Sequence, residues 1–286
     1  MAEKKQDVVV LVGAGGIGLA IARRVATGRK LIVTSRTQEK ADGIADSLRR
    51  DGFDAEGMPC DLGSRESIVA VRDRAAELGN VTHVICAGGV SPSQAPIETI
   101  LKLDLYGSSV LLEEFGKVIA PGGSGIVISS QSGHRLPALT LEQNYALAMT
   151  PTEELLDLDF LQPEVIGTTL RAYQFAKRCN VLRCASQACE WGKRGARVNS
   201  VSPGIIMTPL AYDEINGPRG EGYRNMLTTA PAGRAGTVDE IGDLCAYLMS
   251  DKAGFISGID VLADGGCTAA YWYGDLQYLQ ENWSKS

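Results

Sequence analysis

Tyr173 and Lys177 stand four residues apart in the run Tyr-Gln-Phe-Ala-Lys. On a helix this spacing sets a phenol and an ammonium on one face. The positive charge favours the phenolate, so the pair suits general acid–base work. The same spacing also fits an exposed helical pair with no chemistry. A second feature is Gly13-Ala14-Gly15-Gly16-Ile17-Gly18, which follows the apolar run Val8–Val12 and leads into Leu19-Ala20-Ile21-Ala22. Gly13 suits a tight turn, Gly15 and Gly16 a close backbone approach to a pyrophosphate, and Gly18 tight packing of helix on strand. Without a ligand the same glycines would build a bare turn. Ser35 and Arg36 then occupy the place, about 20 residues past the loop, where an acidic residue would bind the ribose 2′-hydroxyl of NAD. A guanidinium pairs instead with a 2′-phosphate, which favours NADP(H) over NAD(H). The alternative for Arg36 is solvation at a strand end. Finally, Gly125-Ile-Val-Ile-Ser-Ser-Gln-Ser-Gly133 closes an apolar run on hydroxyls, among them Ser130 and Ser132.

These residues need a scaffold, and the sequence points to one. Val8–Val12, Leu31–Thr34, His83–Cys86, Gly125–Ser129, Ala196–Val201 and Ile259–Ala263 are apolar runs suited to strands covered on both faces. Ile17–Thr27, Gln38–Arg50 and Ser64–Leu78 read as helices between them, the last with Ser64 as N-cap. The alternation predicts an α/β fold with a doubly wound parallel sheet in a single domain. The carboxyl ends of such strands line the ligand crevice. One stretch, about 137–170, breaks the rhythm and predicts a small helical insertion. Within it Thr150-Pro151-Thr152-Glu153 reads as a capping box with proline at the first helical position. The tail 271–286 is aromatic, with Tyr271, Trp272, Tyr273, Tyr278 and Trp283. It fits packing against the body, a subunit contact or a pocket wall.

Composition narrows the function. The 286 residues carry 28 basic and 34 acidic side chains, a net charge of −6 with no basic run. That excludes the electrostatic footprint of a nucleic-acid binder or a ligand of anionic membranes. The first apolar run is too short for a membrane span, and no signal-peptide pattern follows it. Seven cysteines form no CxxC pair and there are two histidines, so no metal site is expected. Reduced, buried cysteines and a cytoplasmic protein are the expectation. The 33 glycines are not matched by proline, which argues for demanding backbone positions rather than a linker.

Taken together, the motifs resemble the short-chain dehydrogenase/reductase family. They run in order from Gly13–Gly18 through Asp61-Leu62, Cys86-Ala87-Gly88, Ser130, Tyr173/Lys177 and Pro203-Gly204 with Thr208 to Asp264-Gly265-Gly266. The resemblance covers nearly the whole chain and implies a Rossmann-type fold. It also implies hydride transfer between a nicotinamide and a carbonyl or alcohol carbon. Tyr173 would be the general acid/base and Ser130 would bond the substrate oxygen. Lys177 would hold the nicotinamide ribose and lower the Tyr173 pKa. Asp61 and Leu62 would flank the adenine, and Ala87 and Gly88 would border the cofactor. Pro203 and Gly204 would bind the cofactor, and Ile206 and Thr208 would contact its nicotinamide end. Tyr145 stands nearer Ser130, but the residue four further on is Met149, which offers no cation. Asp104 takes the place of the family's asparagine in the middle helix. An ionised carboxylate accepts hydrogen bonds but cannot donate one. The insertion is similar in placement to that of the bacterial 3α-hydroxysteroid dehydrogenase/carbonyl reductase group, which implies a hydrophobic ketone or hydroxysteroid-like substrate. The segment 205–235 corresponds to the family's variable substrate loop. A homodimer or homotetramer is implied as well. The competing reading from another class is a dinucleotide-binding sensor or scaffold without catalysis.

Overall fold

The computed structural model describes residues 5–217 and 220–281. Seven parallel strands form one sheet in the order β3-β2-β1-β4-β5-β6-β7. They are β1 (Asp7–Val12), β2 (Lys30–Ser35), β3 (Asp54–Pro59), β4 (Asn80–Cys86), β5 (Ile119–Ile128), β6 (Arg197–Pro203) and β7 (Asp260–Ala263). Between them run α1 (Gly16–Val25), α2 (Gln38–Arg50) and α3 (Arg65–Leu78). After β4 come α4 (Ile97–Ile100), a π-helical segment Leu101–Gly107 and α5 (Ser108–Gly116). After β5 come α6 (Gln131–His134), α7 (Leu141–Met149), α8 (Pro163–Ile166) and α9 (Thr169–Lys193). The remainder is α10 (Pro209–Asn216), α11 (Gly220–Thr229), α12 (Val238–Met249), α13 (Cys267–Tyr273) and α14 (Tyr278–Glu281).

The period of two along β1 explains both layers. Val8, Val10 and Val12 join one core with residues of α3, α5 and α9. Val9 and Leu11 join the other with α1 and α12. Both faces are covered, so the strand shows no polar alternation. The strand missing from the sequence reading is β3. It pairs only with β2 and buries Ala55 alone, so its Asp-Ala-Glu-Gly-Met-Pro has no apolar run to betray it.

The segment at 137–170 is helical, but the expected cap is not made. Thr150 ends α7 in an extended conformation, as residues before proline do. Thr152–Asp157 follows as a 3₁₀ turn without a side-chain cap. The capping box forms earlier, at Thr140 and Gln143, with reciprocal bonds of 3.1 and 3.0 Å. The segment builds a third core, in which Leu147, Leu155, Leu161 and Ile166 pack with Ile100, Leu101, Leu105, Phe175, Ala176 and Cys179. The carbonyls ending α7 are met from α9. Arg183 donates to Thr150 O, Ser186 to Ala148 O (3.0 Å) and Cys179 to Leu147 O (3.6 Å). Thus the extra segment braces α9, the helix that carries Tyr173 and Lys177.

The far end of α9 is held by Trp191, which is fully buried and donates to Leu112 O at 3.0 Å. Its ring lies over Gly125 of β5, where a Cβ would meet Trp191 Cη2 at 2.6 Å. Truncating such a side chain leaves a cavity that the packed sheet cannot close. Trp191→Ala is expected to cost about 3–5 kcal/mol of stability in urea unfolding. A loss below about 1 kcal/mol would show that α9 is not anchored there.

Candidate active site

The glycine loop joins β1 to α1. Gly13 has φ +92°, and a Cβ there would sit 2.1 Å from Gly88 N, so the loops after β1 and β4 touch backbone to backbone. Gly18 is buried in the first turn of α1, as tight packing requires. Gly15 is the N-cap of α1 and supplies no side-chain cap. The first N–H groups of the helix therefore remain for an anion, and no Cβ blocks the approach at Gly15. These residues fit the pyrophosphate of a dinucleotide. Ser35 ends β2 and Arg36 follows it, exposed. Asp61 is exposed too, its carboxylate accepting from Gly63 N at 2.8 Å. Leu62 leans on Gly88, where a Cβ would meet Leu62 Cδ1 at 2.4 Å.

On the β4, β5 and β6 side, the strand ends open into a cavity of about 700 Å³. Ser130, Tyr173, Lys177 and Asp104 all line it, with Ile17, Ala87, Gly88, Pro203, Gly204, Ile206 and Thr208. Gly13, Gly15, Gly16, Gly18, Ser35, Arg36, Asp61 and Leu62 lie outside that lining. Ser132 lines the cavity as well, whereas Tyr145 is exposed on α7.

Local chemistry sets each group. Ser130 is the N-cap of α6, and its Oγ accepts from Ser132 N at 3.1 Å. Its own proton is left to donate. Lys177 is 5% exposed and Asp104 0%, with Nζ to Oδ2 at 3.5 Å. Asp104 Oδ1 accepts from Val90 N at 2.9 Å, while Oδ2 has no hydrogen bond. Asp104 lies in the π-helical segment, a widened turn of a kind frequent at functional sites. Lys177 Nζ reaches one further oxygen, Ile128 O, at 3.4 Å. Both contacts of the ammonium are long, so it retains bonding capacity toward a ligand.

Three anchors were not read from the sequence. Ser129, buried, donates to the backbone carbonyl of Lys177 at 2.7 Å. Gly133 lies so close to α9 that a Cβ would meet Arg178 N at 2.8 Å and Lys177 C at 2.9 Å. Glu214 on α10 accepts from the hydroxyls of Ser91 (2.7 Å) and Ser93 (2.9 Å), tying this helix to the loop after β4. Ser129 and Gly133 flank Ser130 in the motif itself, which is the one signal that could have found them. Nothing local marks Glu214. Thr208, expected at the nicotinamide end, accepts from Ala211 N at 3.2 Å as the N-cap of α10. The expected substrate loop is thus mostly helical, as α10 and α11.

The electrostatics correct one expectation. Lys177 does pull the Tyr173 pKa down, as does the Ser130 hydroxyl. Burial outweighs them, however, and with Asp104 and Glu214 it holds the phenol above its usual value. Burial opposes the ammonium of Lys177, but the Asp104 carboxylate offsets this and keeps the amine above its ordinary range. Tyr173 therefore stands protonated at neutral pH, with a cation 5.3 Å from its ring centre.

A parallel sheet with a glycine cradle, and an acid, a cation and a serine at its carboxyl edge, defines a Rossmann-type oxidoreductase. Comparison with known proteins makes this specific. Residues 7–146 match the model described as short chain dehydrogenase, and residues 138–268 the one described as enoyl-(acyl carrier protein) reductase. The short-chain dehydrogenase/reductase bsc3 of Alternaria brassicicola is 34% identical over 92% of this chain and 96% of its own. The D-threitol dehydrogenase of Mycolicibacterium smegmatis is 30% identical over 89% and 90%. Among solved structures, the 3-alpha-hydroxysteroid dehydrogenase from Pseudomonas sp. B-0831 complexed with NADH superposes with a TM-score of 0.73, at 24% identity over 94% of this chain and 99% of that one. The chain belongs to the short-chain dehydrogenase/reductase family and is an oxidoreductase acting on alcohols and carbonyls. The family binds a nicotinamide cofactor.

The balance at Tyr173 gives a pH test. Asp104→Asn removes the carboxylate that raises the phenol and leaves the Lys177 charge facing it. Oxidation of an alcohol requires the phenolate, so its rate rises as pH passes the Tyr173 pKa. The rising limb of the pH–rate profile is expected at lower pH in Asp104→Asn than in the parent. A limb that stays in place or moves up would show that Asp104 does not act on the phenol.

Proposed function

We propose that the protein transfers hydride between NADP(H) and the carbonyl or alcohol carbon of a ketone-type substrate bound in the cavity. The observation that carries this reading is the convergence of Ser130, Tyr173 and Lys177 on one cavity beside the glycine cradle. The nicotinamide, when bound, supplies or accepts the hydride. In reduction Tyr173 gives its proton to the carbonyl oxygen, a role suited by the raised pKa. Ser130 donates to the same oxygen, its acceptor side being occupied by Ser132 N. Lys177 holds the cofactor ribose with its unused donors and keeps positive charge beside the phenol. Asp104 orients Lys177. Asp61 and Leu62 flank the adenine, and Ile206 and Thr208 border the nicotinamide. Leu170, Ile205, Leu210, Met226 and Leu279 give the cavity apolar walls, in keeping with a hydrophobic, hydroxysteroid-like body.

NADP(H) is favoured over NAD(H) because Arg36 makes no hydrogen bond or ion pair among the described residues and stands exposed at the end of β2. The structural relative bound to NADH shares the fold alone at its identity. The non-catalytic sensor is not favoured, since a sensor would have no use for a buried ammonium beside a phenol. A homo-oligomer is supported by the edge strand β7, where Leu262 is exposed, with exposed Ile259 just before it and Tyr247 and Phe255 near in sequence. Among the described residues no helix is long and apolar enough to cross a membrane. Seven free cysteines, six of them buried, support a reducing, cytoplasmic setting. Tyr271 lines the cavity and Trp272 donates to His134 O at 3.1 Å, so part of the aromatic tail is pocket wall and packing. Trp283 lies outside the described residues.

Tyr173→Phe is expected to lower turnover at least about 100-fold while the dissociation constant for NADPH stays within a few-fold, read by fluorescence titration. Retained turnover would remove Tyr173 from the reaction. Arg36→Asp is expected to shift the ratio of kcat/KM for NADPH over NADH by about 10- to 100-fold toward NADH. An unmoved ratio would detach Arg36 from the 2′-phosphate.

A further inference from the structure

We propose that the substrate carries a carboxylate and that Arg135 binds it. This rests on the reading of the cavity as the substrate site. Arg135 ends α6, five residues after Ser130, and lines the cavity although only 8% exposed. Its surroundings are wrong for a buried cation. Nη1 donates to Met226 Sδ at 3.0 Å, and thioether sulfur is a weak acceptor. The guanidinium carbon lies 5.6 Å from the centre of the Tyr271 ring. Nε is buried with no partner. No carboxylate among the described residues comes within 4.0 Å of it. Arg65 and Arg72 are less shielded and pair with Glu114, while buried Arg183 also lacks a carboxylate but donates to the Thr150 carbonyl.

The carboxylates that line the same cavity are already engaged. Glu214 holds Ser91 and Ser93, and Asp104 holds Val90 N and faces Lys177. Arginine does not shed its proton to escape burial. A ring face and a sulfur replace water poorly, so the charge lacks its counter-ion until a ligand brings one. The planar fork matches a carboxylate with two parallel bonds. The substrate is therefore an apolar body with its carbonyl or alcohol at Tyr173 and an acid group at Arg135.

The test is calorimetric titration of NADP⁺-saturated protein with cyclohexanecarboxylate and, separately, cyclohexanecarboxamide, which match in shape and differ in charge. The carboxylate is expected to bind about 10- to 100-fold more tightly, and Arg135→Met is expected to abolish that preference. Equal binding of the two, binding of neither, or a preference that survives in Arg135→Met overturns the proposal. Equal binding or no binding in the parent protein overturns the proposal even if Arg135→Met fails to fold, and loss of the preference in Arg135→Met or, should that variant not fold, in Arg135→Gln assigns it to Arg135 rather than to Lys177 or the nicotinamide. Turnover of 4-oxocyclohexanecarboxylate against its methyl ester is measured alongside. Preference in binding with no turnover of any ketone would sink the proposed reaction and leave the acid site standing. Turnover of ketones without preference for the acid would do the reverse.

Discussion

The structure depends on keeping an ammonium charged where water scarcely reaches. Lys177 is 5% exposed at the carboxyl edge of the sheet, and burying such a group costs several kcal/mol unless it is compensated. Compensation comes from Asp104, itself fully buried, whose widened helical turn is held through Val90 N. The pair is not saturated, since the contact is 3.5 Å and Oδ2 has no aligned donor. An unsaturated buried pair is costly for folding and useful for binding, because bonding capacity remains for a ligand. The remaining contacts to α9 hold this arrangement in place. Ser129 takes its backbone, Gly133 lets α6 lie against it, and Trp191 pins its far end.

The same charges govern the phenol. Tyr173 is pushed up by burial and by two carboxylates and pulled down by one ammonium and one hydroxyl. The net result is a proton held in readiness. A cofactor or substrate that changes the local charge changes this balance, so the site responds to what enters it.

The segment at 137–170 solves a mechanical problem. It adds a third hydrophobic core against α9, and α9 in turn satisfies the carbonyls that end α7. Across the cavity, Glu214 ties α10 to the loop after β4 through two serine hydroxyls. Variation in such loops lets one scaffold take many substrates, which is why the fold alone leaves the ligand open.

The sheet, its glycine loop and the pairing of Tyr173 with Lys177 were legible in the sequence, because each is a local signal. An apolar run is visible within one strand, a turn within six residues, and a helical face within four. Edge strand β3 escaped because a strand with one neighbour needs no apolar run. The capping box was misplaced because Pro151 fits a helix start as well as a turn; only the chain direction before it decided. Tertiary structure alone brought Asp104 to Lys177 and set Glu214 against Ser91 and Ser93. It also enclosed Arg135 between Met226 and Tyr271 without a counter-ion. These contacts join residues far apart in the chain, and their energies depend on burial. Burial, in turn, is fixed only when the layers close on one another.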